Sequence, residues 1–190
     1  MVGPTETEVK IRLSEKAKAL ERLRHAGFRE SVARLFEANT LYDTPDGQLR
    51  KKETLLRLRE AGNRSVLTWK GPGIPGAAHK SRTELETSIG SAQTIAQIFH
   101  QLGFQPAFRY EKYRTEYTRP GSAGVVTIDE TPIGDFMELE GAGEWIDETA
   151  ALLGFRPDEY VLESYGKLYI AECERCGVQP THMVFASTSG

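Results

Sequence analysis

The stretch Thr5-Glu6-Thr7-Glu8-Val9-Lys10-Ile11-Arg12-Leu13 alternates without a break: Glu6, Glu8, Lys10 and Arg12 fall on one side, Thr7, Val9, Ile11 and Leu13 on the other. Successive side chains of an extended chain point to opposite faces, so period two predicts a strand with one apolar and one charged face. The apolar face needs covering. What the charged face meets decides the kind of protein.

Working outward, Ser14 reads as the N-cap of a helix over 15–26, with Ala17, Leu20 and Leu23 at helical spacing and Gly27 as its stop. Strands over 29–42, 47–60 and 63–70 follow, joined by the turn signals Pro45-Asp46-Gly47 and Ala61-Gly62-Asn63. The run Gly71-Pro72-Gly73-Ile74-Pro75-Gly76 reads as a mobile loop before a strand over 80–87. A helix over 91–102, strands over 105–118, 124–131 and 135–141, and helices over 142–153 and 163–176 complete the pattern. Residues 1–176 form one domain in this reading, and 177–190 a flexible C-terminal tail. Strands mostly in hairpin order predict a mainly β, α+β fold: an eight-stranded antiparallel sheet closing into a barrel, with helices packed outside.

The design of the first strand recurs. Arg57 and Arg59 share a face opposite Leu56 and Leu58; Thr68 and Lys70 share another. Arg82, Glu84 and Glu86 line up at period two, as do Lys112, Arg114 and Glu116. Thr127 and Asp129 lie opposite Val126 and Ile128, and Glu138 and Glu140 opposite Met137 and Leu139. Half-exposed antiparallel strands commonly alternate in this way, which makes solvated outer faces one reading. Yet nearly every polar slot here is a full charge, and like charges recur about 7 Å apart along single strands. Paired carboxylates repel unless a cation sits between them, and paired arginines unless an anion does. A barrel with its charged faces inward resolves both with one ligand: phosphate oxygens on the arginines and lysines, hard divalent cations on the carboxylates. Both readings stand on spacing alone.

Bulk composition narrows the classes. At 190 residues the chain fits one domain, and 39% hydrophobic with 27% charged residues is ordinary for a folded protein. No apolar run approaches the roughly 20 residues of a membrane span, and the polar start is not a secretory signal, so no membrane partner and a cytoplasmic location are expected. The net charge of −3 argues against a nucleic-acid partner.

In order along the chain, Glu6-Thr7-Glu8-Val9-Lys10, Tyr42-Asp43-Thr44, Leu49-Arg50, Leu56-Arg57-Leu58-Arg59, Thr68-Trp69-Lys70-Gly71-Pro72 and Arg82-Thr83-Glu84-Leu85-Glu86 resemble the CYTH family, the triphosphate tunnel metalloenzymes. So do Glu111-Lys112-Tyr113-Arg114, Asp129-Glu130, Ile133-Gly134-Asp135-Phe136-Met137-Glu138-Leu139-Glu140-Gly141 and Ser164-Tyr165. The family includes class IV adenylyl cyclases and thiamine triphosphatases. The resemblance spans about residues 5–171 and leans towards the cyclase branch through the 133–141 block and the Glu84–Glu86 strand. It implies that Glu6, Glu8, Asp129, Glu138 and Glu140 ligate Mg²⁺ or Mn²⁺. It implies that Lys10, Arg57, Arg59, Lys70, Lys112 and Arg114 grip the triphosphate, with Lys10, Lys70 and Arg114 nearest the chemistry. Arg82, Glu84 and Glu86 line the same tunnel in the family pattern; Arg12 and Arg50 are weaker candidates, Arg12 reading better as a strand-end solvated residue. Lys167 sits where thiamine triphosphatases resemble one another in a helix lysine near the phosphates, against its reading as a solvated lysine.

The activity so implied is metal-dependent attack on the triphosphate of a small molecule. A ribose 3′-hydroxyl attacking the α-phosphorus turns ATP into cyclic AMP and pyrophosphate, the first reading. Water attacking the terminal phosphorus makes a triphosphatase acting on inorganic triphosphate, thiamine triphosphate or a nucleotide. A non-catalytic polyphosphate- or nucleotide-binding barrel is the rival class, disfavoured by the full acidic set; an RNA 5′-triphosphatase is disfavoured by the acidic balance. A homodimer is left open. Cys173 and Cys176, with His182 near, are too few for a zinc site and read as passive.

Overall fold

The computed structural model describes residues 4–76 and 78–186. Its strands are β1 (Thr5–Leu13), β2 (Arg29–Asp43), β3 (Leu55–Ala61), β4 (Arg64–Gly73), β5 (Lys80–Ile89), β6 (Gln105–Thr118), β7 (Val125–Thr131), β8 (Gly134–Glu140) and the short β9 (Tyr160–Val161). The helices are α1 (Lys16–His25), α2 (Gln48–Lys51), α3 (Ala92–Gln101), α4 (Gly143–Leu152) and α5 (Tyr165–Cys176).

The alternating segment Thr5–Leu13 closes the sheet. Through Glu8–Leu13, β1 pairs antiparallel with β8, and through Thr5–Glu8 it pairs antiparallel with β5. The order β5-β4-β3-β2-β6-β7-β8-β1 thereby becomes a ring of eight strands, with β9 added beside Lys10 and Ile11 as an extra strand. Closure removes the sheet edges and gives every strand an inner and an outer face.

The apolar faces point outward and are covered by helices. Val9, Ile11, Val126, Ile128, Met137 and Leu139 pack with Leu23 of α1 and Ile146 and Ala150 of α4. On the other flank Ala92 and Phe99 of α3 cover Tyr42 and Leu58. At one end of the barrel Tyr165 of α5 packs on Tyr110, Phe136 and Met183. The charged faces are therefore the inner ones, the second of the two readings that spacing left open.

Several local expectations change. Ser14 does not cap α1; Glu15 occupies the N-cap position without a side-chain cap bond and pairs with Lys18 at 2.7 Å instead. The strand expected over 47–60 begins only at Leu55, because α2 takes up its first part. The carboxylate of Asp43 accepts from the backbone N–H groups of Thr44, Leu49 and Arg50, which folds this segment into a turn before it can extend. Half of the glycine-rich loop is strand: β4 runs to Gly73, which pairs with Arg82 across a register shift. Within the expected tail, residues 177–182 are exposed and Met183 is anchored. Met183 is fully buried, bridges Tyr110 of β6 and exchanges backbone hydrogen bonds with Arg109 and Glu111. Residues 187–190 of that tail lie outside the described residues.

Trp145 lies across two glycines. An added Cβ at Gly124 would stand 2.4 Å from its ring, and one at Gly141 2.8 Å. Its indole nitrogen donates to Ser122 Oγ at 2.6 Å, which fixes the ring in place. Gly124→Ala is therefore expected to cost about 2–3 kcal/mol through overpacking, and urea denaturation should read it as a lower midpoint at unchanged slope.

Candidate functional site

The barrel interior is a tunnel of opposed charges. Glu6, Glu8, Lys10, Arg57, Arg59, Lys70, Arg82, Lys112, Arg114, Glu138 and Glu140 all line one central cavity. They come from six strands whose inner faces converge because the sheet is closed. Arg59 and Arg114 also line a second chamber further along, together with Glu37, Arg64, Glu86 and Glu116. The central cavity opens on its other side to Leu41, Leu55, Phe108 and Tyr110, next to Ser164 and Gly166 at the start of α5.

The cations and carboxylates neutralise one another. Lys70 Nζ stands 2.5 Å from Glu6 and 2.6 Å from Glu84. Lys10 Nζ lies 3.0 Å from Glu8 and 3.3 Å from Glu138, and Lys80 Nζ 2.6 Å from Glu8. Arg114 forks onto both oxygens of Asp129, at 2.7 and 2.6 Å, and also reaches Glu138. Lys112 donates to Asp129 at 2.8 Å, and so does the hydroxyl of Tyr165 at 2.7 Å. Arg57 donates to Thr68 at 3.0 Å.

These contacts set the ionisation. Burial raises the Glu8 carboxyl, but the Lys10 and Lys80 ammonium groups outweigh it and leave it below the usual range. Glu138 is pulled down in the same way, burial being overcome by Lys10 and Arg114. Glu6 and Glu140 go the other way. Burial, with the Glu84 carboxyl sharing a hydrogen bond, pushes Glu6 up to about 7. Burial and the nearby Glu6 and Glu8 raise Glu140.

Glu6, Glu8 and Glu140 thus mark the carboxylate-rich side of the tunnel, where Glu140 sits directly opposite Glu8 across the β1–β8 ladder. Oxygen donors that raise one another's pKa suit a hard divalent ion such as Mg²⁺ or Mn²⁺. Among the described residues no three Asp, Glu, His or Cys side chains form a preformed metal cluster. The donor set fits by chemistry, with lysines occupying part of it. Asp129 fits least, because its fully buried oxygens already accept from Lys112, Arg114 and Tyr165.

The sign of the Glu6 shift gives a testable pH dependence. Its folded pKa lies above the unfolded value of 4.5, so its stabilising contribution is complete below 4.5 and is lost as pH rises through about 7. Metal-free protein is expected to lose about 5 °C of Tm between pH 5 and 8 from this group. A Glu6→Gln variant should show a flatter profile, and identical profiles would count against the crowded carboxylates.

Most expected residues converge; some do not. Lys167 is exposed on α5, where its backbone N–H donates to Ser164 Oγ at 3.4 Å. Arg12 is exposed, donates to the Ile133 carbonyl and stacks over Phe136 at 4.6 Å. Arg50 is exposed on α2. Sequence alone assigns no site role to Lys80, Glu37 or Asn39, and none to Tyr165, which it places only within the Ser164-Tyr165 match. Lys80 continues the series Arg82, Glu84, Glu86 at period two and was available to the same argument. Glu37 and Asn39 sit in a strand whose register shifts at Glu30/Val32 and Val32/Leu35, which blurs the alternation. Tyr165 enters the tunnel from a helix, and no strand periodicity could have found it.

Residues 4–153 match the family model described as the CYTH domain. A candidate adenylate cyclase of Methanocaldococcus jannaschii is 29% identical over 148 residues, covering 78% of this chain and 83% of its own length. Among solved structures, a candidate adenylate cyclase of Vibrio parahaemolyticus superposes with a TM-score of 0.76 at 19% identity, covering 87% of this chain and 98% of its own. A Pyrococcus horikoshii protein gives 0.73 at 24%, covering 88% and 99%. A Hippeastrum protein, described as a candidate adenylyl cyclase with a dominant triphosphatase activity, gives 0.60 at 18%, covering 92% and 97%.

Proposed function

The chain belongs to the CYTH domain family, and from that premise we propose that it is a divalent-metal-dependent enzyme that cleaves the phosphate chain of a small-molecule triphosphate, by hydrolysis. The observation that carries this reading is the convergence of Lys10, Arg57, Arg59, Lys70, Lys112 and Arg114 on one buried cavity faced by Glu6, Glu8, Glu138 and Glu140. Side chains this desolvated hold polyanions far more strongly than surface charges do. A triphosphate entering the cavity takes over the donors that the carboxylates now occupy, with the guanidinium forks of Arg57, Arg59 and Arg114 suited to paired phosphate oxygens. Glu6, Glu8, Glu138 and Glu140 would hold the metal, which when bound neutralises phosphate charge and activates the attacking oxygen. The lysines and arginines fix the chain so that its reacting phosphorus is held in one orientation.

Hydrolysis is favoured over cyclisation by the chamber beyond Arg59 and Arg114. Its volume of about 170 Å³ leaves room for several waters on the side away from the apolar rim. The activity described for the Hippeastrum protein is consistent with that reading. Cyclisation of ATP is the second reading, favoured by the rim of Leu41, Leu55, Phe108 and Tyr110, which could hold a base, and by the name of the archaeal relative.

Incubation with ATP, inorganic triphosphate and thiamine triphosphate, each with Mg²⁺ or Mn²⁺, separates the two. Orthophosphate that disappears on chelation is the expected product. Cyclic AMP with pyrophosphate would favour the second reading, and no turnover of any of the three would sink both.

A further inference from the structure

The waist of the tunnel holds polar atoms that no described residue satisfies. Arg59 donates from Nε to Asn39 Oδ1 at 3.2 Å and brings Nη1 to 3.6 Å from Glu37 Oε1. A guanidinium only donates, so Asn39 must turn its oxygen towards it and its amide nitrogen away. That nitrogen is buried without a partner, and Glu37 Oε2 is in the same condition. Lys112 Nζ stands 3.7 Å from Glu37 Oε2, beyond hydrogen-bond distance.

The two residues lie two apart on β2 and so share its inner face. Glu37 lines the far chamber and Leu41 the central cavity, and the fully buried Asn39 lies between them on the same strand. One orphan is a donor and the other an acceptor. A phosphate oxygen could satisfy Asn39 but would be repelled by the Glu37 carboxylate. A water molecule carries both a lone pair for Asn39 Nδ2 and hydrogens for Glu37 Oε2, and buried polar groups of this kind are rarely left unmet.

Resting on the hydrolytic reading above, we infer that Glu37 and Asn39 hold the water that attacks the terminal phosphorus of the triphosphate. Asn39 Nδ2 donates to the water oxygen and Glu37 Oε2 accepts one of its hydrogens, which directs a lone pair along the tunnel towards the central cavity. The water oxygen bonds to the terminal phosphorus. The bond from that phosphorus to its bridging oxygen breaks, and the oxygen leaves with the remaining diphosphate. One water proton stays on the released phosphate and the other passes to solvent, so atoms and charge balance. Arg59 and Lys112 stand on either side of Glu37, and the carboxylate thereby orients the water without retaining its proton.

Two substitutions remove the water and keep the brace on Arg59. Glu37→Gln leaves an oxygen for the guanidinium and puts an NH₂ where Oε2 was; Asn39→Asp leaves an oxygen and replaces the donor by an acceptor. Each is expected to lower kcat for orthophosphate release about 100-fold with KM within about threefold, the signature of a misplaced nucleophile. Binding of a methylene-bridged ATP analogue, followed calorimetrically, should be unchanged in both. In water enriched in ¹⁸O the wild type should place the label in orthophosphate; label in the diphosphate product overturns the proposal. So do variants that raise KM at constant kcat, which would make the pair a support for Arg59 alone, and variants that leave turnover unchanged. A wild type that makes only cyclic nucleotide overturns it too, while leaving the tunnel reading standing. A wild type that neither binds the analogue nor turns over any triphosphate removes the underlying reading instead.

Discussion

Glu138→Ala is expected to abolish metal-dependent turnover while leaving the barrel folded. The carboxylate sits at the centre of the charge network, 3.3 Å from Lys10 and bonded to Arg114. In the proposed reading its loss removes a metal donor and frees from their shared anchor two cations proposed to grip phosphate. Neither cation is orphaned: Lys10 keeps Glu8 at 3.0 Å and Arg114 keeps Asp129. The apolar neighbours Met137 and Leu139 point outward into the main core and are untouched. A fall in kcat/KM of about 10³-fold or more is expected, with thermal unfolding nearly unchanged. Glu138→Gln should not restore activity, because the amide cannot carry the charge that holds a cation. Full turnover in either variant would remove Glu138 from the site.

The largest loss of stability is expected from Asp129→Ala. Asp129 is fully buried and accepts from Lys112, Arg114 and Tyr165. Burial raises the Tyr165 pKa and Asp129 raises it further, so the phenol remains a donor in this network. Removing the carboxylate leaves Lys112 with no carboxylate closer than Glu37 at 3.7 Å and takes from Arg114 its forked partner. Breaking a buried pair from one side costs about 3–5 kcal/mol, which for a chain of this size lowers Tm by about 10 °C. Asp129→Asn, which keeps one acceptor oxygen, should recover part of it. A Tm within a degree or two of wild type would mean that Lys112 and Arg114 find other partners, and that Asp129 is free to act as a metal ligand in the way the family resemblance implies.

Much of the site was legible because a closed sheet turns linear alternation directly into inside and outside. Glu6, Glu8, Lys10, Arg57, Arg59, Lys70, Arg82, Lys112, Arg114, Glu138 and Glu140 all follow from period two and motif order, and all line the cavity. Lys167 shows the limit of that method. It was carried from a family pattern onto a helix, where the direction of a side chain depends on how the helix docks, and α5 docks with Tyr165 inward and Lys167 outward. The segment 47–60 shows another. Its apolar residues suit a strand, but the Asp43 carboxylate captures the N–H groups of Leu49 and Arg50 and turns the first part into α2.

By itself the sequence determined most of the strands, their two-faced character and the antiparallel order, which follow from spacing along one chain, and through motif order the identity of most charges in the tunnel. Only the tertiary structure decided which face is the interior, that β1 closes the ring between β8 and β5, that Asp129 anchors cations, and that Glu37 and Asn39 keep unpaired atoms at the waist. Those facts depend on which side chains from distant strands meet, and on how many partners each polar atom finds once water is excluded. No periodicity within a single strand encodes either.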